Sequence, residues 1–442
     1  MGAGALLAMG LFFGSLCAFA QEAAPTLSFG ADALALNGPW KFQLGDDRGW
    51  AEPAFDDSRW ESLDLTPLPG AHDGDVGLTQ FTPGWSAHGH PGASGFAWYR
   101  LTLRVADPHG AALWLAGPAL VDNAYQIYLN GELIGGIGDF AQAPPVLKAS
   151  QPRLFALPSR LWRAEDGALR SVIAIRVACA SPGLAPEGCG IHIAPVLGLE
   201  AGVRSHYRQQ WLEKVEGYAV DATEPVFFLI LAVMALCMIP FEPQDRFNVW
   251  LAAALTLLAA ARFNQPLYWL AGFETLGDFV LWRLSIVDGL LLGAWVMAWR
   301  AAFRLQARWQ VVACVALTAA YILARLLGTT LLFPALPSAL VHGCATLLKA
   351  IHLGFLVLLV AVVWQGERRG RGSWPLRLSI LLGSIGLFAS ELGQLGVPGI
   401  WFPFGVGVSR TEYAYAAFDV ALFSYLLQRL WGFAGALRLA AR

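Results

Sequence analysis

From Pro225 onward the chain is a succession of apolar runs, each close to the length that crosses a lipid bilayer. About 20 apolar residues span the hydrocarbon core, and only helices or closed barrels satisfy their own backbone polar groups there. Seven such runs are readable, at 225–241, 247–263, 279–299, 309–333, 338–364, 375–397 and 411–431. The connections between them test the count. One side receives Arg246, then Arg300, Arg304 and Arg308, then Arg368, Arg369 and Arg371, and finally Arg429, Arg438 and Arg442. The other side receives "NQPLYWLAGFETLGD", "FPALPS" and "VPGIWFPFGVGVSR", with Arg410 as its single basic residue. Basic residues collect on the cytoplasmic side, so the pattern predicts seven spans entered from outside and ending in the cytoplasm. Six or eight spans would break it. Trp269, Trp309, Trp364, Trp374, Trp401 and Trp431 fall near the expected interfaces, as aromatic belts do.

The first half has a different character, with Gly, Pro and charged residues crowded among short apolar segments. Residues 1–20 carry an apolar stretch ending in Ala18-Phe19-Ala20, a small-x-small signal-peptidase pattern, so the segment from Gln21 onward is expected to be exported. In "WYRLTLRV" (98–105) Tyr99, Leu101, Leu103 and Val105 alternate with Trp98, Arg100, Thr102 and Arg104, the period of a half-buried strand. "AALWLAG" and "SVIAIRVA" read as further strands. "YQIYLNGELIGG" (125–136) reads as a hairpin turning at Asn130-Gly131, where both residues need positive φ. No long amphipathic helix interrupts this region. Trp40, Trp60 and Trp98 are expected in the core, and Arg100 and Arg104 on a solvated face or rim.

Four blocks in this half, "LNGPWKFQLGDD" (36–47), "FDDSRW" (55–60), "WYRLTL" and "YLNGELIG", occur in the order found in jelly-roll sugar-binding domains. The series resembles the N-terminal domain of family 2 glycoside hydrolases. It is also similar to the periplasmic domain of bacterial seven-transmembrane receptors with diverse intracellular signalling modules. The seven spans favour the second resemblance, since no soluble catalytic barrel comes after the β-rich half. The fold expected is therefore a membrane protein, an all-β jelly-roll sandwich ectodomain followed by a seven-helix transmembrane bundle. Its divisions are a signal at 1–20, a periplasmic domain at 21–205, a linker at 206–224, the spans at 225–431 and a tail at 432–442. Members of the resembled family continue into a cyclase, kinase or phosphatase; here only "GFAGALRLAAR" comes after Trp431. The expectation is a chain that is no enzyme, passing its signal to a separate cytoplasmic protein or continuing in a longer version.

Candidate ligand groups concentrate in the loop at 69–95, where His72, Asp73, Asp75, Trp85, His88 and His90 combine an aromatic face with polar groups, as saccharide sites require. The same three His and two Asp are also a metal-ligand set on paper, and a solvated loop without a ligand is the plain alternative. Cys179 and Cys189 bracket a Pro/Gly-rich loop in an oxidising compartment and are expected to pair. Ionisable groups inside spans are costly and mark function by default. They are Arg283, Asp288, Arg325, Lys349, His352, Glu391 and Asp419, expected as a polar cluster below the ectodomain or as ion pairs that fix helix packing. The partners expected are a small periplasmic ligand of saccharide type, the lipid bilayer, a cytoplasmic signalling protein and a second copy of the chain. No cofactor and no nucleic acid is expected. The leading function is an inner-membrane receptor; the alternatives are a transporter whose ectodomain captures substrate, and an assembly scaffold.

Overall fold

The computed structural model describes residues 26–27, 33–108, 110–180, 184, 188–333, 335–370, 372–394, 397, 399–402 and 407–440. The expected signal and its cleavage site lie outside them.

The first part is built of antiparallel strands in two principal sheets that share one core. The larger has the order Glu61–Leu63, Trp40–Leu44, Gly95–Ala106, Ala168–Cys179, Ala124–Leu129, Glu132–Ile137, with Arg163–Glu165 also pairing on Ala168–Cys179. The smaller has the order Leu34–Ala35, Val196–Leu199, Leu113–Ala116, Leu154–Ala156. Phe42, Tyr99, Ile127 and Ile175 from one sheet meet Leu115 and Leu197 from the other. The period-two reading holds because alternate residues of a strand face opposite sides. The Asn-Gly hairpin forms as its composition requires, with Asn130 at φ 47 and Gly131 at φ 87. The Asn130 side chain also accepts from the Val172 amide at 2.8 Å, tying the turn to the next strand. Cys179 and Cys189 form a disulfide with their Cα atoms 5.7 Å apart.

The outer face of the larger sheet is less solvated than its pattern suggested. Trp50, Phe55 and Trp60 cover it, and Arg100 is only 2% exposed beneath them. There its Nε donates to Asp57 at 2.9 Å, and its guanidinium lies over the Phe55 and Trp60 rings. Arg100 is thus a buried, paired cation rather than a rim residue. Its neighbour in the sheet, Arg176, pairs with Asp46 at 2.6 Å in the same way.

The helices begin without a flexible link. Helix α1 (Glu200–Gly217) starts directly after the strand Val196–Leu199 and packs on it and on Leu113–Ala116. Residues expected to be a polar linker are therefore a packed helix, continued after a break at Tyr218 by α2 (Ala219–Cys237). Then come α3 (Phe247–Pro266), the short α4 (Leu276–Phe279), α5 (Asp288–Ala302), α6 (Arg308–Leu327), α7 (Ser338–Arg368), α8 (Trp374–Leu387), α9 (Ala389–Gln394) and α10 (Arg410–Ala440). Wider, π-helical turns at Leu267–Ala271 and Val280–Val287 extend α3 and join α4 to α5. Helix α2 packs against α3 and α10, α3 against α5, α10 against α8, and α6 against α7. Phe228, Leu255, Trp295, Trp299, Phe355 and Phe418 belong to their common core.

Among the described residues, five helices are long and apolar enough to cross a membrane: Glu200–Cys237, Phe247–Ala271, Leu276–Ala302, Arg308–Leu327 and Ala339–Arg368. The count of seven is not reached on those terms. The sixth apolar run breaks at Phe388, leaving α8 with 14 residues. The seventh lies in α10, which is long, but whose Glu412, Asp419 and Arg429 dilute its hydropathy.

One buried polar contact of the β-core offers a direct test of this packing. The Trp85 Nε1 donates to the Tyr99 hydroxyl at 2.7 Å, and both side chains are 1% exposed. Tyr99→Phe removes the acceptor and strands the indole N–H, so thermal or urea unfolding should show a loss of about 1–3 kcal/mol.

Candidate functional site

A cavity of about 570 Å³ lies where the β-part meets the helices. Its walls come from both. The β-part and α1 contribute Asp73, Asp75, Asp122, His192 and Lys214, with Tyr218 from the α1–α2 break. The helices contribute Gln265, Tyr268, Trp269, Leu276, Phe279, Leu284 and Arg325.

The loop at 69–95 builds one wall by folding around a carboxylate. Asp73 Oδ1 accepts the backbone N–H groups of Asp75, Val76 and Gly77 at 3.1, 2.9 and 2.6 Å. This wrap presents Val76 to Gly217, whose missing side chain permits the approach: a Cβ there would sit 2.9 Å from Val76 Cβ. The close approach brings Tyr218 within reach of Asp75. The Tyr218 hydroxyl donates to Asp75 Oδ2 at 3.0 Å, and Gln265 Nε2 donates to the same oxygen at 3.3 Å. Burial, then the neighbouring Asp75, raise the Asp73 carboxyl above its ordinary value, while the three backbone N–H groups oppose them.

Lys214 is 1% exposed, donates to the Ser150 carbonyl and stands 5.4 Å from the Trp269 ring centre. Asp122 Oδ2 lies 3.3 Å from His192 Nε2, whose Nδ1 is 2.9 Å from the Thr82 carbonyl; Phe81 stacks on the imidazole. Tyr218 stacks on Trp269, and Tyr268 on Phe279. The Tyr268 hydroxyl is buried without a hydrogen-bond partner among the described residues.

One helical turn below the cavity sits a buried charge cluster that the sequence pattern did not single out. Arg262 of α3 pairs with Asp221 of α2, with Glu224 of α2 at 3.0 Å, and with Glu412 of α10 at 3.9 Å. The carboxylate side chains are 4–5% exposed. A usable signal existed: Asp221 and Glu224 come after Tyr218 at helical spacing, and Arg262 precedes Gln265 by three. Arg262 also lines a second cavity of about 150 Å³, together with Arg283, Asp288, His352, Thr411 and Tyr415.

The loop groups singled out from sequence are dispersed by the fold, whereas Arg283, Asp288 and His352 of the spans come together at the second cavity. Asp73 and Asp75 line the junction cavity. Trp85 does not; it is core, bonded to Tyr99, because an indole offers more burial than a loop can leave in water. His72 packs on Phe402 at 4.7 Å, His90 pairs with Glu61 at 2.8 Å, and His88 is half-buried in a separate turn. The six therefore form no single site. Of the seven span residues, Arg283 pairs with Asp288 beside the second cavity, and His352 pairs with Glu391 at 2.6 Å. Arg325 reaches the junction cavity, while Lys349 is exposed and Asp419 half-buried elsewhere.

No protein-family model matches the chain. Beta-galactosidase BoGH2A of Bacteroides ovatus is 30% identical over 150 residues, covering 31% of this chain and 17% of that protein. Among solved structures, a Bacteroides uniformis beta-glucuronidase is 21% identical with a TM-score of 0.26, covering 38% of this chain and 17% of that one. A beta-glycosidase from Bacteroides vulgatus is 20% identical with a TM-score of 0.25, covering 38% and 20%. The chain thus spans about a sixth of the curated relative's length. The match overturns the expectation that the chain is no enzyme, because the curated protein it resembles over part of its length is a beta-galactosidase. Its activity belongs to that protein.

The geometry generates two predictions. Arg262→Met leaves three buried carboxylates without their cation and should cost about 3–5 kcal/mol in unfolding; adding Asp221→Asn and Glu224→Gln should recover most of it. The raised Asp73 carboxyl stabilises the fold below the ordinary carboxylate range, and that stability is lost as pH rises through its raised value. Asp73→Asn keeps an acceptor for the three N–H groups, so it should melt higher than the parent at neutral pH and equally near pH 3 or so.

Proposed function

We propose that the chain is an inner-membrane signalling receptor whose exported β-part is a jelly-roll domain. In this reading seven segments cross the membrane: α2, α3, residues 276–302, α6, α7, residues 374–394 and α10. The β-part stands in the periplasm and α10 ends in the cytoplasm, the orientation that the basic residues favour. A small hydroxylated ligand of saccharide type binds the junction cavity and shifts the helices by its differential affinity for two of their arrangements.

The carrying observation is that the cavity walls come from both parts of the chain. A ligand touching Asp75, Lys214 and Trp269 together is sensitive to the placement of the β-part on the helices. The path from there is continuous. Asp75 holds Tyr218 and Gln265, which lie one turn from the Arg262 cluster joining α2, α3 and α10. At its far end α10 is tied again, through Arg429 to Glu242, to Asp245 at 2.9 Å and to Asn248 at 3.2 Å. That tie gives α10 a defined state to leave.

Hydrogen exchange on the full chain in lipid nanodiscs tests the reading, with a panel of neutral monosaccharides and their alkyl glycosides as probes. At least one probe should protect residues 73–77 and 214–218 and change exchange around Arg429. Protection at the cavity with no change around Arg429 for any binding probe would contradict the relay; no protection by any of them would contradict the site.

A further inference from the structure

The polar groups of the junction cavity are unevenly spent. The carboxylates have partners: Asp73 holds three backbone N–H groups, Asp75 holds Tyr218 and Gln265, and Asp122 faces His192. The donors are not used up. Lys214 carries three N–H bonds and gives one to Ser150. The Tyr268 hydroxyl, in a side chain 1% exposed, and Arg325 Nε are buried with no hydrogen-bond partner among the described residues. A buried donor left unmade costs free energy, so the cavity asks for acceptors.

Charge decides which acceptors. The carboxylates of Asp73, Asp75 and Asp122 share the cavity wall with Lys214 and Arg325, and they oppose an anionic head. Hydroxyl and ether oxygens supply acceptors without charge.

The remaining walls are apolar and belong to helices of membrane-crossing length. Leu276, Phe279 and Leu284 come from the segment Leu276–Ala302, and Arg325 from the end of Arg308–Leu327. Leu284 is only half-buried, and its helix neighbours Trp282 and Leu323 of α6 are 58% exposed on faces that meet lipid in this reading. The cavity is therefore polar toward the β-part and apolar toward the bilayer, where a soluble sugar leaves Leu276, Phe279 and Leu284 uncovered.

We propose that the cavity takes an uncharged glycolipid-like amphiphile, with its sugar head against Lys214 and Tyr268 and its hydrocarbon chain between Leu284 and Phe279, entering from the membrane. This deepens the reading of the junction cavity as a ligand site and rests on it. The hydrocarbon chain packs on Leu276, Phe279 and Leu284, contacts that a free sugar lacks.

The test uses the full chain, extracted with its lipids into polymer-bounded nanodiscs, and radiolabelled octyl β-D-glucoside below its micellar concentration. Saturable binding of one probe per chain is expected, with glucose and 1-octanol each competing at least about tenfold more weakly. Tyr268→Phe should weaken binding several-fold, and Leu284→Trp should abolish it; Leu284→Phe replaces the latter if it does not fold. Glucose competing as well as the octyl glucoside would overturn the amphiphile while leaving the cavity a sugar site. Octanol competing equally would overturn the sugar head. Binding unchanged in both variants would place the probe in the bilayer and overturn the proposal outright.

Discussion

Arg262 is the constraint on which the helical part depends. A guanidinium in an apolar bundle is tolerable only when paired, and this one, on α3, meets carboxylates from α2 and α10. Replacing such a pair by apolar residues of equal volume can be neutral, whereas removing one partner is severe. The cluster therefore does more to specify which helices touch than to stabilise the fold as such. It fixes α2 and α10, which are far apart in sequence, on the same cation, and Tyr415 of α10 adds an aromatic face 5.7 Å from it.

Above that cluster the two parts of the molecule are joined by short polar contacts around a cavity. Gln151 donates to the Leu270 carbonyl at 2.8 Å, and the Leu276 amide donates to the Leu147 carbonyl at 2.9 Å. Both bind the β-part to the turns at the helix ends. Lys214, bonded to the Ser150 carbonyl, and the Asp75 bridge to Tyr218 add side-chain ties. The arrangement explains why α1 is a helix rather than a loose tether: a flexible link would not hold Tyr218 and Lys214 against the loop at 73–77. Function, in the reading proposed here, depends on that rigidity, because a ligand can bias only states that differ in defined contacts.

The strands were legible in the sequence because their signals are local. Alternation in 98–105 and the Asn130-Gly131 turn each depend on a few adjacent residues, and the structure has both. Long apolar helices were legible for the same reason, although the run at 375–397 hid a break at Phe388. The candidate site was legible only in fragments. Asp73 and Asp75 were found, but Lys214 and Tyr218 come from a segment that read as linker, and Gln265 and Tyr268 from one that read as an outside loop. Trp85 and His90 misled because an aromatic or imidazole ring in a Gly-rich loop looks available until tertiary contacts bury it. Arg100 misled for the converse reason: a second aromatic layer covers the face that alternation assigns to water.

The claim that joins these parts is that the junction cavity and the Arg262 cluster are energetically one unit. A double-mutant cycle on the full chain in nanodiscs, combining Tyr218→Phe with Arg262→Met, measures this directly through unfolding free energy. If the two form one unit, the coupling is about 0.5–3 kcal/mol, the range for residues in one polar network. Effects that add to within about 0.3–0.5 kcal/mol would contradict it.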